Sequence, residues 1–227
     1  STQMSVDVAR DPELLDLCAS AGLRQAFVGI ETPDPSALRE VRKGQNIRPD
    51  LAADLHTLQS RGIVVQAGMI TGFDADTPAC FETQFEFLQR AGVPMVLLGM
   101  LNAPEGTPLE RRLAAENRLK PSGVENGCFE TNIIPKNMTT EELYAGTKRL
   151  LNRLYSPGPF LERIARLGEN LPPSRSSFGA EPRSLMVWHR LLRWFEGMGP
   201  EMARIPRTAM DLFRSKDTQA LATVLSF

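Results

Sequence analysis

Three apolar stretches of this 227-residue chain end in polar or glycine-rich steps, and those steps hold the residues best suited to chemistry. They are Gly29-Ile30-Glu31-Thr32-Pro33, Gly68-Met69-Ile70-Thr71-Gly72-Phe73-Asp74 and Gly99-Met100-Leu101-Asn102-Ala103-Pro104. Glu31 closes an apolar run just before a helix-start signal. Its carboxylate would project from a strand end, where it can accept hydrogen bonds from hydroxyls or an ammonium. Lys43 follows twelve residues later, and a cation returning to that place could meet a ligand carboxylate. Gly68 and Gly72 bracket a strand end and would let a flat ligand lie against bare backbone, whose N–H and C=O groups can read a base edge. Asn102 offers a donor and an acceptor at the equivalent place on the next strand. Each has an ordinary alternative: a solvated carboxylate, a lysine favouring a helix C-terminus, glycines serving a turn. Recurrence at the same edge of consecutive strands gives the functional reading its weight.

The elements that must position these residues alternate over the first hundred residues. Strands are expected at Ser1–Ala9, Gln25–Ile30, Ile63–Ile70 and Val93–Leu101. Helices are expected to start at Asp11-Pro12, Asp34-Pro35 and Thr77-Pro78, each pair supplying an N-cap acceptor and a proline at the first helical position. A further helix is expected over Pro49–Arg61, with Leu51, Leu55 and Leu58 at helical spacing. Strand and helix alternating at this period predict a parallel sheet. Four strands fall short of a closed barrel, so the fold class expected is α/β: a partial (β/α) barrel followed by an all-helical extension. After a helix at Thr107–Asn117 comes a loop-rich connector (Lys120–Lys136). Thr139-Thr140-Glu141-Glu142 then reads as a capping box opening a helix to about Tyr155. Pro157–Leu167 is expected as another helix closed by Gly168. The domains expected are 1–105 (barrel part), 106–168 (helical domain), 169–182 (linker) and 183–227 (helical tail).

The net charge of −1 argues against a nucleic-acid partner. No run of about 18 apolar residues reads as a transmembrane helix, and the first residues do not have the make-up of a signal peptide, so a cytoplasmic location is expected. Cys18, Cys80 and Cys128 lie far apart and suggest no disulfide framework. His56 and His189 sit in helical stretches outside any metal-ligand pattern, and no metal site is expected. The chain opens in what reads as mid-strand without a methionine, and a piece of a longer protein is expected.

Several segments resemble the cobalamin-associated radical S-adenosylmethionine (SAM) enzymes, a subset that includes hopanoid and bacteriochlorophyll side-chain methylases. Phe27–Asn46 (FVGIETPDPSALREVRKGQN) resembles the family's fourth strand and the helix and basic residue after it. Val64–Gln89 resembles the fifth strand with its glycine-bracketed adenine segment, and Met95–Leu113 the sixth strand and its exit. Thr131–Ile164 is similar to the domain of unknown function that follows the barrel in this subset. The resemblance implies that Glu31 contacts the ribose or amino group of SAM and Lys43 its carboxylate. It implies that Gly68, Ile70 and Gly72 flank adenine with Met100 and Asn102 behind it, and that Ser5 and Asp7 face the barrel interior near substrate or SAM.

The family's Cys-x3-Cys-x2-Cys loop, which binds a [4Fe-4S] cluster, has no counterpart in the spacing of Cys18, Cys80 and Cys128, and a cluster needs several neighbouring thiolates. The cluster ligands and the cobalamin-binding domain are therefore expected outside this chain. What is expected is part of a SAM-, [4Fe-4S]- and cobalamin-dependent enzyme that functionalises a C–H bond of a small-molecule substrate, as in methylation of a lipid or tetrapyrrole-like compound. By itself the chain is expected to be inactive. The alternative is a non-catalytic binding or scaffolding module, or one half of a split enzyme completed by a separately encoded N-terminal half.

Overall fold

The computed structural model describes residues 1–120 and 130–172, together with six isolated positions between 193 and 204. Cys128, His189 and the expected helical tail, apart from those positions, lie outside the described residues. Four strands, β1 (Thr2–Met4), β2 (Gln25–Glu31), β3 (Val64–Thr71) and β4 (Met95–Met100), form one parallel sheet in sequential order. Helices α1 (Pro12–Ser20), α2 (Pro35–Glu40), α3 (Leu51–Ser60) and α4 (Cys80–Ala91) lie in the connections, and α5 (Pro108–Ala115), α6 (Thr140–Leu154) and α7 (Pro157–Asn170) follow. The fold is α/β, a partial barrel with a helical C-terminal part.

Local chemistry explains most of the boundaries. The Asp11, Asp34 and Asp50 carboxylates accept from backbone N–H groups of Leu14, Ser36 and Ala52, satisfying donors that a helix start leaves free. The capping box forms as expected, with Thr139 and Glu142 bonding each other's backbone N–H. Four expectations are corrected. The first strand stops at Met4, because Val6–Arg10 winds into a 3-10 helix whose N-cap is Ser5. Thr77-Pro78 does not cap α4, which starts at Cys80 behind Ala79 without a side-chain cap. The helix expected from Pro49 begins at Leu51, one residue after its cap Asp50. Gly168 does not end α7, which continues to Asn170 with Gly168 buried.

Alternation along the strands separates two faces. Ala26, Val28, Ile30, Val65, Ala67, Met69, Val96 and Leu98 are buried on one face against leucines and phenylalanines of α1, α3, α4 and α6. The register places Gln3, Phe27, Gln66, Gly68 and Leu97 on the other. There Leu97 is 49% exposed. Parallel sheets are normally covered on both faces; here α1, α3, α4 and α6 cover one, and the other is left partly open around Leu97. The outer edge of β4 is blocked by Tyr155, whose hydroxyl accepts from the Val96 N–H (2.9 Å) and donates to its C=O (3.0 Å). Arg163 is wholly buried and donates to the carbonyls of Val93 and Leu154 and to Gln89, pinning α7 beneath β4. Burial lowers its pKa to about 10, which leaves it charged at neutral pH.

Two outcomes are expected. A Cβ at Gly146 of α6 would stand 2.1 Å from the Phe81 ring on α4, so Gly146→Ala should cost about 1–3 kcal/mol in urea unfolding. Adding Phe81→Ala should cost less than the two single changes summed. Sedimentation velocity should show concentration-dependent self-association through the open face, reduced by Leu97→Lys; a clean monomer at every concentration would contradict this.

Candidate functional site

A cavity of about 370 Å³ opens on the uncovered face where β1, β2 and β3 end. Its wall includes Ser5, Glu31, Lys43 and Asn46, and its floor Gly29 and Gly68. Glu31 is the last residue of β2 and has φ +67°, a left-handed conformation uncommon for a residue with a side chain. Its carboxylate pairs with the Lys43 ammonium at 2.9 Å. The lysine is 37% exposed, so the pair contributes little to folding. It is the charged end of a cavity whose other lining residues are uncharged. A Cβ at Gly29 would stand 2.8 Å from the Glu31 carboxylate, and one at Gly68 would stand 2.7 Å from the Phe27 ring. Both glycines thus leave room for neighbouring side chains to fold across the floor.

Of the residues singled out in the sequence, Ser5, Glu31, Lys43 and Gly68 meet at this cavity. Asp7 is next to it through Ser5, whose hydroxyl donates to the Asp7 carboxylate, and pairs with Arg48. Ile70 packs into an apolar cluster with Phe73, Leu101 and Leu113. Gly72, at φ +101°, lies under Leu143 of α6, and Met100 is buried with Met138 and Leu143. Asn102 places its side-chain carbonyl in a buried spot without a hydrogen-bond partner among the described residues. Gln3, Met4, Phe27, Gly29, Gln45 and Asn46 also line the cavity and were assigned no role from the sequence. Phe27 and Gly29 could have been found from the two-residue period leading to Glu31; Gln45 and Asn46 belong to a short 3-10 turn with no periodic signature.

Residues 107–223, more than half of the chain, match the family described as Domain of unknown function (DUF4070). The chain belongs to the DUF4070 family. It is 34% identical over 161 residues to the hopanoid C-2 methylase of Rhodopseudomonas palustris, an alignment covering 71% of this chain and 30% of that protein. An uncharacterized methyltransferase of Synechocystis sp. is 33% identical over 168 residues, covering 73% and 31%. The bacteriochlorophyllide d C-12(1)-methyltransferase of Chlorobaculum tepidum is 21% identical over 165 residues, covering 72% and 36%. The chain spans about a third of the length of these curated relatives. The family is that of the methylases the sequence resembles.

The DUF4070 segment grips the carboxyl ends of β3 and β4. Arg112 and Arg118 both pair with Asp74 in the β3 exit loop, and Arg112 also reaches Glu40 (3.1 Å). Burial pushes the Asp74 carboxyl up, but hydrogen bonds from Arg118 and Arg112 outweigh it and hold the pKa below the usual range. Burial first, and the charge of Asp74 second, raise that of Glu40. Thr131 donates to the Leu101 carbonyl (2.6 Å), and the Asn132 amide bonds both backbone groups of Ala103. The Thr147 hydroxyl of α6 lies 2.8 Å from that of Thr71.

Within the same loop Asp76 is buried and accepts from the N–H groups of Gly72 (2.7 Å) and Phe73 (3.1 Å). Burial raises its pKa to about 6; those hydrogen bonds lower it only in part, and Asp34 and Glu40 add repulsion. Burial and the neighbouring Asp76 also raise the Cys80 thiol, which keeps it protonated and unreactive. Cys18 packs against the main core. Among the described residues no group of three or more His, Cys, Asp or Glu is placed to hold a metal ion, and no helix is long and apolar enough to cross a membrane.

Asp76 gives a signed pH expectation. Its folded pKa, about 6, lies above the ordinary 3.8, so the folded state holds the proton more tightly. The resulting stabilisation is complete below about pH 4 and is lost as pH rises through 6. Asp76→Asn should therefore gain on the native protein by roughly 3 kcal/mol between pH 4 and 7 in urea unfolding. A pH-independent difference would contradict this assignment.

Proposed function

We propose that the cavity at the ends of β1, β2 and β3 is the SAM-binding site of a radical methyltransferase of which this chain is a part. The observation that carries the reading is the Glu31–Lys43 pair standing over a glycine floor at the carboxyl edge of parallel strands, where barrel folds bind ligands. A cavity of about 370 Å³ lies in the range of small-molecule sites. SAM carries a carboxylate, an ammonium, ribose hydroxyls and a flat base, and the residues present match them. The Lys43 ammonium would take the ligand carboxylate, Glu31 the ribose hydroxyls or amino group, and Gly68, with the Phe27 ring folded across it, would flank adenine. Asn102 offers its unpartnered carbonyl behind the β4 exit.

With one electron from the iron–sulfur cluster, bound SAM would supply a carbon radical for hydrogen abstraction, methionine being the other product, and cobalamin would carry a methyl group taken from SAM. Cys18 and Cys80 do not fit a [4Fe-4S] cluster, since one packs on the core and the other is held protonated in a different cluster. The cluster and cobalamin are assigned to parts of the longer polypeptide that the relatives' lengths suggest. Two of the relatives are named for a hopanoid and a bacteriochlorophyllide, and the exposed Leu97 on the same open face suits a similarly large, apolar substrate.

Calorimetric titration of S-adenosylhomocysteine, a stable SAM analogue, into the purified chain tests the reading. One molecule should bind, and Glu31→Gln and Lys43→Met should each weaken binding by about tenfold or more, the usual worth of a charge-assisted hydrogen bond. No binding, or binding untouched by both changes, would refute it.

A further inference from the structure

We infer that Asn46 is the positioning residue of the Glu31–Lys43 pair: its side-chain amide holds the end of β2 in the bulged, left-handed turn that aims Glu31 at Lys43. This rests on the reading of the cavity as a ligand site. The register of β2 on β3 is regular from Gln25↔Val64 to Gly29↔Gly68 and then slips, so that Glu31 stands beside Met69 and Ile30 is the extra residue. A bulge of this kind interrupts the ladder and bends the strand. Here it sits next to the left-handed φ of Glu31, a conformation that a non-glycine residue keeps only when its surroundings impose it.

Asn46 supplies that constraint. It is 3% exposed, and its side-chain nitrogen donates to the carbonyls of Gly29 (2.9 Å) and Ile30 (3.0 Å), the two residues at the slip. Two acceptors facing one side-chain end require the NH₂ group there, which also fixes the amide orientation. An aspartate of the same shape would turn an oxygen toward both carbonyls. The Asn46 backbone N–H donates to the Lys43 carbonyl (2.9 Å), and Lys43 is the N-cap of the 3-10 turn Gly44–Asn46. One residue therefore ties the segment that carries the lysine to the segment that carries the glutamate. Asn46 acts through that pair and not as a catalytic residue.

Two measurements on the full chain test this. In the first, the side-chain ¹³C–¹H signal of Lys43 is followed by NMR with no ligand present. Glu31→Gln should shift it, and Asn46→Ala should reproduce most of that shift. A Lys43 signal at its native position in Asn46→Ala overturns the inference, whether or not the chain binds SAM. In the second, S-adenosylhomocysteine titrations are run as a double-mutant cycle. Asn46→Ala should weaken binding about tenfold in the native background and less than about twofold in the Glu31→Gln background. Equal losses in both backgrounds would mark Asn46 as merely structural and overturn the inference. Native chain that binds no analogue, with the NMR result as expected, would sink the SAM reading and leave the positioning role standing. Asn46→Ser, smaller and uncharged, serves if Asn46→Ala does not fold; failure of both to fold overturns a local positioning role.

Discussion

The connections between these four parallel strands place α1, α3 and α4 on one face of the sheet, and most other features follow from that constraint. Apolar alternation is spent on the covered face, where Ala26, Val28, Ile30, Val65 and Ala67 are fully buried against helical leucines. The opposite face carries Gln3, Gln66, Gly68 and Leu97, a mixture that makes a poor core but a usable wall for a ligand. The cavity lies on that face, at the strand ends that α1, α3, α4 and α6 leave uncovered.

Two separate supports shape the carboxyl edge. At β2 the support is local: a slip in the ladder, a left-handed glutamate and a short turn that returns a lysine and an amide to the same place. At β3 and β4 it is long-range. Arginines on and just after α5 neutralise Asp74, Asn132 fastens the Ala103 backbone, and α6 sits over Gly72 with a leucine where a larger residue would need space. The described part of the matched family segment thus braces the strand ends.

The β3 exit loop concentrates negative charge. Glu40, Asp74 and Asp76 lie close together, yet their environments pull them apart: two guanidiniums hold Asp74 ionised, while at Asp76 burial outweighs the backbone donors of Gly72 and Phe73 and the proton is held more readily. That division lets one loop carry several carboxylates in little space. It also makes the loop respond to pH through Asp76.

By itself the sequence determined the order and type of the elements, the parallel sheet, the aspartate caps and the capping box at Thr139, and it singled out Glu31, Lys43 and Gly68, which the fold brings to one cavity. These are set by periodicity, by cap chemistry within three or four residues and by the family resemblance, all of which a single chain of letters records. It overextended the first strand, because Val6 and Val8 satisfy strand alternation as well as the 3-10 turn that Ser5 caps. Tertiary structure alone decided that Met100 and Gly72 face α6 while Gly29 and Asn46 face the cavity. The reason is geometric: which face a strand residue takes depends on where the helices pack, and a bulge reverses the count for every residue after it. Asn46 lies fifteen residues from Glu31 in sequence, and only folding brings its amide to the carbonyls that turn the glutamate inward.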